Sequence, residues 1–436
     1  MSLISQMSFQ NPWWAKRESV HEDQSIRKAM ASKPPFIVGQ PQGSALIIGP
    51  RQVGKTTFLK TSIMKVLEGV SDPRSVFFFS CEPLNGKEEL VRLLNEYRSY
   101  VSPSGGHIYL DEVTFVQGWN EALLHLFNAG YLKDTVVYVT GSSSASLYSE
   151  TLPGRPIRKL SFYPLNFRMY YRIFHGGVPG VGTAAITDPE QVYAETLKLV
   201  PYLSELNRAL LEYVQRGGFL AAGYASGDPL NSLYETHRDA LLSDLLKLGR
   251  DERLFKEIMR YIVTAYGTRV SENSIASSTS VGSHNTVASY IDLAEKLFIV
   301  RVFRKFEGGA ARERSPKKVY MIDPFIYRVL KRYTTGDGSI GKDDMPAVIE
   351  GIVGEHLARE HRNTGYTFFK NGKEVDFVAG NIGIEVKWGS ARPEDLKFER
   401  GFTLGMDEYK DGDRKSVIPV SAFLYAISEE RVFYDL

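Results

Sequence analysis

The stretch GPRQVGKT, from Gly49 to Thr56, has the residue types and spacing of a phosphate-binding loop. Its glycines let the backbone curl so that successive N–H groups point at phosphate oxygens, and the helix that follows adds positive potential. Lys55 would reach the β and γ phosphates, and the Thr56 hydroxyl would ligate Mg²⁺. The motif predicts that ATP or ADP is bound by the following residues: Gly49, Pro50, Arg51, Gln52, Val53, Gly54, Lys55, Thr56 and Thr57.

Two adjacent carboxylates, Asp111 and Glu112, end the apolar run HIYLDEV further along the chain. Carboxylates at the end of a buried strand are costly unless they meet a cation. Asp111 is therefore predicted to hold Mg²⁺ through its waters, together with Thr56. Glu112 is predicted to orient and deprotonate the attacking water. An exposed acidic turn is the alternative interpretation.

Further candidates for catalysis follow the next apolar run, TVVYVTGSSS. Thr140, Ser142 and Ser143 carry hydroxyls that could sense the γ-phosphate or the lytic water, and Ser142 joins the predicted catalytic set. Arg155, in LPGRPIRKLSFYPLNF, is the candidate cation for the transferring phosphoryl group, supplied within the chain or by a neighbouring subunit. A solvated or structural role is the alternative for Arg155. The predicted catalytic residues are thus Lys55, Glu112, Arg155 and Ser142.

Four charged side chains interrupt the apolar pattern of residues 373–389, KEVDFVAGNIGIEVKWG. A two-residue turn in the middle would place Asp376 opposite Glu385, and Glu374 opposite Lys387. Facing carboxylates repel unless a proton or a cation lies between them. A divalent metal, Mg²⁺ or Mn²⁺, on Asp376 and Glu385 with Lys387 beside it is what phosphodiester hydrolysis needs. A solvent-facing salt bridge, or an inactive site that only docks DNA or protein, is the alternative.

The elements that must position the first of these sites alternate between strand and helix. From 44 to 165, short apolar runs alternate with helical stretches, which is typical of a parallel sheet covered on both faces. This pattern predicts an α/β nucleotide-binding core. A polar arm broken by prolines precedes it at 1–43, and helices interpreted as a lid follow it at 166–250.

Residues 251–320 show helices separated by a turn and then a basic stretch, the order of a helix-turn-helix with a wing. The second of the paired helices is predicted to begin near Ser283. It exposes polar residues, among them Asn285, that can contact bases or phosphates. The predicted DNA-binding residues are Asn285, Arg304, Arg312, Arg314, Lys317 and Lys318. This segment predicts salt-sensitive, weakly sequence-specific DNA binding. A winged fold used only for packing is the alternative.

Composition limits the partners and the compartment. The 436 residues carry a formal charge of only +2, so nucleic-acid affinity must come from local clusters. The single cysteine, Cys81, excludes an intramolecular disulfide and a multi-cysteine zinc site. No apolar stretch approaches the roughly 20 residues that span a membrane, and the N-terminus lacks the apolar core of a signal peptide. The sequence predicts a cytoplasmic protein with no membrane partner.

Together, GPRQVGKTTFL, YLDEV, VTGSSS and LPGRPIRKLSFYPLNF resemble a family of archaeal and bacterial AAA-type ATPases. Members join a P-loop ATPase core to a helical lid, a winged helix-turn-helix and a C-terminal α/β domain of the restriction-endonuclease, or PD-(D/E)xK nuclease, type. The resemblance implies ATP binding and hydrolysis. The resemblance covers about residues 40 to 436. With the polar arm at 1–43, five parts are predicted: the arm, the core at 44–165, the lid at 166–250, the winged helix at 251–320 and the nuclease-like domain at 321–436.

The nuclease resemblance concerns the C-terminal carboxylates. Aspartate, eight residues and then Glu-x-Lys is similar to the PD-(D/E)xK core, which usually adds an acidic residue from a preceding helix. Glu355 in GIVGEHLAREH fits that role, and Glu360 is less well placed. Val375 stands where the family has its proline. The resemblance implies a nuclease-like set of Glu355, Asp376, Glu385 and Lys387.

The leading hypothesis is a Mg²⁺-dependent ATPase that acts on DNA through its winged helix and nuclease-like domain, as a homo-oligomer or with a protein partner. Three alternatives stay open. The chain could be an ATP-gated, metal-dependent DNA nuclease, a nucleotide-switched DNA-binding module, or a nucleotide-switched protein-binding module without catalysis on DNA. A fold does not fix its partner, so the sequence does not choose between the last two.

Overall fold

The computed structural model describes residues 3–32, 38–103, 105–141, 157–225, 227–307, 310–369, 373–412 and 414–435. The chain divides into two units, one formed by Met1–Tyr163 with Val432–Leu436 and the other by Pro164–Arg431. In the described part of the chain, no helix combines the length and the apolar character that crossing a bilayer requires.

The first unit alternates helices and strands as the sequence predicts. Its described elements are α1 (Leu3–Gln10), α2 (Gln24–Ala31), β1 (Ser44–Ile48), α3 (Lys55–Gly69), β2 (Val76–Ser80), α4 (Lys87–Glu96), β3 (Gly106–Asp111), α5 (Trp119–Asn128), β4 (Thr135–Gly141), β5 (Ile157–Phe162) and the last strand of the chain, β16 (Phe433–Asp435). Among described residues the strands form one sheet in the order β16-β5-β1-β4-β3-β2.

Neighbouring strands of this sheet are parallel, except that β16 is antiparallel to β5. Strand β1 is buried along its whole length because helices cover both faces of a parallel sheet. The predicted C-terminal domain, 321–436, included β16, but the structure places this strand in the first unit. The sequence did not show this pairing because it joins residues more than 250 positions apart, such as Tyr434 and Ser161.

Side chains of the N-terminal segment cover the free edge of β2. The Asn11 amide donates to the carbonyl of Phe78 at 2.8 Å and accepts from its N–H at 2.7 Å, as a neighbouring strand would. The indole N–H groups of Trp13 and Trp14 both donate to the carbonyl of Val76, at 2.9 Å. An uncovered edge strand invites pairing with other chains. The segment therefore completes the sheet and blocks that pairing.

The second unit begins with the helices α6 (Phe167–His175), α7 (Pro189–Leu197), α8 (Leu203–Arg216), α9 (Leu220–Tyr224) and α10 (Asp228–Lys247). They occupy most of the range predicted to form a lid. Helix α8 buries Leu206, Leu210 and Tyr213, which share one face at helical spacing. These helices therefore pack through amphipathic faces and not through a sheet.

The next segment contains α11 (Glu252–Thr264), β6 (Arg269–Val270), α12 (Glu272–Ser278), α13 (His284–Lys296), β7 (Val300–Phe303), β8 (Lys305–Glu307), β9 (Ala310–Arg312) and β10 (Lys317–Met321). Strand β10 pairs antiparallel with β6 and with β7 in a three-stranded sheet of described residues. Serine side chains cap the paired helices: Ser271 caps α12 and Ser283 caps α13.

The remaining elements are α14 (Pro324–Thr335), α15 (Met345–Glu360), β11 (Thr364–Phe368), β12 (Glu374–Ala379), β13 (Ile382–Val386), β14 (Gly401–Gly405), β15 (Lys415–Pro419) and α16 (Val420–Ile427). Among described residues, a mixed sheet has the order β15-β14-β13-β12-β11-β8-β9. The hairpin β8–β9 lies in the basic stretch that was predicted to form the wing. It forms one edge of this mixed sheet because β8 pairs with β11.

The β12–β13 hairpin has the predicted register where its backbones pair. Ala379 lies opposite Ile382, and Phe377 lies opposite Ile384. The antiparallel pairing ends there, so Asp376 and Glu385 come just beyond the last paired residues.

Two glycines bring α15 close to the strands around this hairpin. A Cβ on Gly354 would lie 2.5 Å from the ring of Phe377, and a Cβ on Gly351 would lie 2.8 Å from the ring of Tyr320. Neither helix position can accept a larger residue without displacing an aromatic ring. On the same helix, Glu350 contacts Lys318 and Tyr320 of β10.

Candidate nucleotide site and C-terminal carboxylate cluster

The loop between β1 and α3 contains two residues with positive φ, Gln52 and Gly54. Gly54 has φ +110°, which favours glycine, and a Cβ on Gly49 would lie 2.2 Å from the carbonyl oxygen of Phe162. Gln52 also has positive φ, +59°, an uncommon conformation that functional loops retain. The Lys55 ammonium is buried and donates to the carbonyls of Gly49 at 2.9 Å and Pro50 at 3.0 Å.

Three residues from different elements meet at the carboxyl end of the sheet. Strand β4 lies between β1 and β3, so its end reaches the end of β3. The Thr56 hydroxyl donates to one oxygen of Asp111 at 2.7 Å, and the Thr140 hydroxyl donates to the other at 2.5 Å. Burial raises the pKa of Asp111, while the two hydroxyls counteract that rise. Both carboxylate oxygens are thus oriented by hydroxyl groups.

Glu112 adopts an unusual backbone conformation beside this group. Its φ is +53°, and its N–H donates to the Thr140 hydroxyl oxygen at 3.1 Å. A non-glycine residue in the left-handed region stores roughly 1–3 kcal/mol, which persists where surrounding structure enforces it, often at active sites. The Thr140 hydroxyl thus contacts both members of the acidic pair, the Asp111 carboxylate and the Glu112 backbone N–H.

The structure describes some of the other residues predicted for the nucleotide site, but not all of them. Arg51 and Val53 lie in the same loop, and Thr57 lies in the first turn of α3. Ser142, Ser143 and Arg155 lie outside the described residues. Their predicted roles stay predictions.

Glu355 does not join the hairpin carboxylates. It is 2 % exposed, and its two oxygens accept from Arg301, at 2.9 Å each, while Arg359 adds another bond at 2.9 Å. Burial opposes its ionisation, but the two guanidinium groups outweigh that effect and hold the pKa of Glu355 below its usual value. The structure corrects the prediction that Glu355 supplies a metal ligand, because arginines occupy its carboxylate.

The Lys318 ammonium lies among three carboxylates, those of Glu350, Glu374 and Asp376. Its side chain is 1 % exposed, and the ammonium lies 2.6 Å from Glu350, 2.5 Å from Glu374 and 3.2 Å from Asp376. Burial disfavours the charged ammonium, yet the charges of these carboxylates raise the pKa of Lys318. The prediction that Lys318 contacts DNA is corrected, since the buried ammonium is surrounded by protein oxygens.

The hairpin brings Asp376 and Glu385 together as predicted from their register. Asp376 accepts from the N–H of Val386 at 2.9 Å, and Glu385 accepts from the Lys387 ammonium at 2.6 Å. Glu374, predicted to face Lys387, pairs with Lys318 and Arg269. No group of three or more metal-type side chains is arranged around a vacant centre in the described part of the chain. As arranged, these residues do not fit the second divalent metal that the sequence suggested.

Most predicted DNA-binding cations contact acidic partners. The pairs are Arg304 with Glu313, Arg312 with Glu307, and Lys317 with Glu272. Asn285, in the first turn of α13, and Arg314 are exposed. The positive field of this segment is therefore weaker than its count of basic residues suggests.

Comparison with known protein families indicates which kind of domain the first unit contains. Residues 42–171 match a family model described as an AAA domain. The first unit contains a P-loop domain of the AAA type. The P-loop, the acidic pair and Thr140 all lie within the range matched by the AAA domain. Residues 207–337 match a model described as a domain of unknown function (DUF8612).

No curated protein matches the chain. Solved structures similar to it include Cdc6p from Pyrobaculum aerophilum, with 13% identity and a TM-score of 0.23, covering 72% of this chain and 94% of that one. Another is AMPPCP-bound DnaA from Aquifex aeolicus, with 16% identity and a TM-score of 0.25, covering 63% of this chain and 93% of that one.

Proposed function

We propose that the protein binds ATP with Mg²⁺ in its AAA domain and hydrolyses it. The observation that carries this proposal is the hydrogen-bonded group of Thr56, Asp111 and Thr140 at the end of the sheet, next to the phosphate-binding loop. The Thr56 hydroxyl and the Asp111 carboxylate are oxygen donors of the type that Mg²⁺ prefers. When bound, Mg²⁺ would neutralise charge on the phosphates.

Separate residues of the chain would bind the phosphates, accept the proton and orient the acidic pair. The Lys55 ammonium, which donates to loop carbonyls in this structure, would transfer its hydrogen bonds to the β and γ phosphates. Glu112 would accept a proton from the attacking water, and Thr140 would fix the acidic pair. Arg155, from the same or a neighbouring subunit, remains the proposed cation for the transferring phosphoryl group. A homo-oligomer is part of this proposal.

Lys55→Ala should lower ATP turnover at least about 100-fold, because it removes a preorganised cation from the phosphates. Turnover is measured as phosphate release with Mg²⁺, alongside binding of a fluorescent ATP analogue. Lys65→Ala, an exposed lysine on the same helix, is the matched control and should behave as the wild type. Wild-type protein without turnover, or undiminished turnover in Lys55→Ala, would refute the proposal.

A second proposed function is DNA binding by the segment at 251–320. The observation that favours it is the element order: a helix, the strand β6 and two helices, and then the strands β7 and β10, which join β6 in one antiparallel sheet. This is the order of a winged helix, whose second paired helix enters the major groove through its first turn. Here that turn exposes Asn285. We also propose the division into lid, winged helix and nuclease-like part, because the order of helices and strands along the chain fits it.

Arg314→Glu should weaken binding of a short DNA duplex about tenfold and reduce its salt dependence, because an exposed cation near phosphates is reversed. Fluorescence anisotropy at several salt concentrations measures both effects. Arg414→Glu, an exposed arginine paired with Glu399 elsewhere in the second unit, is the control. If wild-type protein binds no duplex at low salt, DNA binding is excluded. The alternative of a nucleotide-switched protein-binding module is then favoured.

A further inference from the structure

The strand β16 pairs with the strand that contacts the phosphate-binding loop. Phe433 lies directly opposite Phe162 of β5. A Cβ on Gly49, the first residue of the loop, would collide with the carbonyl oxygen of Phe162. Because β5 lies between β16 and β1 in the sheet, β16 covers the outer edge of a strand that touches the loop.

The Phe433 ring packs against the helix that carries Lys55 and Thr56. Phe58, near the start of this helix, is 2 % exposed, and its ring centroid lies 5.0 Å from that of Phe433 with the two rings at 71°. The Phe433 ring also lies 5.0 Å from the ring of Phe162. Edge-to-face pairs at this separation attract each other beyond the effect of burying their apolar area.

Aromatic rings from three strands surround Phe58. Its centroid lies 6.0 Å from Tyr138 of β4 and 6.2 Å from Phe162 of β5, so Phe433 of β16 is nearer than either. The backbone N–H of Phe58 donates to the carbonyl of Gly54 at 2.8 Å, which closes the first turn of α3. Fixing the Phe58 ring therefore fixes the turn from which the two phosphate-binding side chains project.

The next residue of β16 makes a different contact. Successive side chains of a strand point to opposite faces of the sheet. Accordingly Tyr434, which is 5 % exposed, packs against the ring of Tyr163 at 5.6 Å, while Phe433 packs against Phe58. Two aromatic residues of one strand thus separate support of the strand from support of the helix α3.

We propose that Phe433 is a positioning residue of the nucleotide site: its ring holds Phe58, and thereby the first turn of α3, in the geometry that binds the phosphates. This inference rests on the proposed ATPase function and adds to it a residue from the opposite end of the chain. Phe433 acts through Phe58, so its main effect is on nucleotide affinity. Once ATP is bound, the phosphates themselves hold Lys55 and Thr56 in place, and the rate of the chemical step depends less on the ring.

Phe433→Ala should raise both the KM for ATP and the Kd of a fluorescent ATP analogue about tenfold. The kcat should fall less than about threefold, because the loss is one of ground-state binding. Phosphate release at several ATP concentrations with Mg²⁺ measures KM and kcat, and fluorescence anisotropy measures Kd. A ring that served only the stability of the fold would give the opposite result, since a smaller folded fraction lowers the apparent kcat and leaves KM unchanged.

Tyr434→Ala is the matched control, because it removes a ring of similar size from the same strand but from the opposite face. Its KM and Kd should stay within about twofold of the wild type. If either alanine variant fails to fold, Phe433→Leu and Tyr434→Leu replace the pair. Phe433→Leu keeps part of the apolar contact, so its KM should rise about threefold.

Two outcomes overturn the inference while leaving the ATPase proposal in place. One is unchanged KM and Kd in the folded Phe433 variant, and the other is an equal rise in the Tyr434 variant, in a background where the wild type hydrolyses ATP. Wild-type protein that binds no ATP analogue would instead refute the ATPase proposal, and this inference with it. Wild-type protein that binds the analogue without turnover would refute hydrolysis alone, and Kd would still decide the role of Phe433.

Discussion

Replacing Glu112 by glutamine should lower ATP turnover at least about 100-fold and leave ATP binding intact. Glutamine has the size of glutamate but cannot accept the proton of the attacking water. The hydrogen bond to Thr140 uses the backbone N–H of residue 112, so the substitution does not remove it. Phosphate release measures turnover, and a fluorescent ATP analogue measures binding. Lys55→Ala, by contrast, should weaken both.

Glu88→Gln is the control for this prediction. Glu88 is an exposed carboxylate in the first turn of α4, in the same unit, so its loss should leave turnover unchanged. Undiminished turnover in Glu112→Gln would exclude Glu112 as the general base. Loss of ATP binding together with turnover would instead indicate that the residue shapes the site, because its positive φ depends on the surrounding structure.

The phosphate-binding loop could be recognised in the sequence because its residues are contiguous, and its role in binding nucleotide stays a prediction. A loop such as Gly49–Thr56 shapes its own backbone, and the strand and helix that flank it are signalled by local periodicity. The register of the β12–β13 hairpin was predictable for the same reason, since a short turn fixes which residues face each other. The contact between Thr140 and Asp111 could not be predicted from the sequence, because it depends on β4 lying next to β3 in the sheet.

The contacts of the carboxylate cluster around Lys318 could not be predicted from the sequence alone. Lys317 and Lys318 look alike in the sequence, yet strand alternation sends one to Glu272 and the other into the carboxylates. Glu350 and Glu355 both lie on α15, and a separation of five residues turns them well apart around the helix axis. Which of them faces β12 depends on packing against elements that are distant in sequence. The periodicity of the helix alone does not contain that information.

Glu355→Gln should lower the free energy of unfolding by about 3–5 kcal/mol, because it removes the buried carboxylate charge that the guanidinium groups of Arg301 and Arg359 both contact. Urea denaturation of the full chain measures the loss. Burial opposes ionisation of Glu355, but the arginines keep its pKa below 4.5. Its contribution is therefore complete above about pH 4.5 and is lost only as the pH falls through the lower, folded-state value.

Glu360→Gln tests whether this loss is specific to the paired arginines. Glu360 lies on the same helix, and its contact at 2.7 Å is with the half-exposed Arg431. Solvent screens that pair, so about 1 kcal/mol or less should be lost. A carboxylate that serves as a metal ligand would behave differently from both Glu355 and Glu360. Without its metal it has no counter-charge, so neutralising it would not lower the free energy of unfolding. Unchanged stability of Glu355→Gln would therefore restore Glu355 as a candidate ligand, whereas a large loss confines it to holding β7 and α15 together.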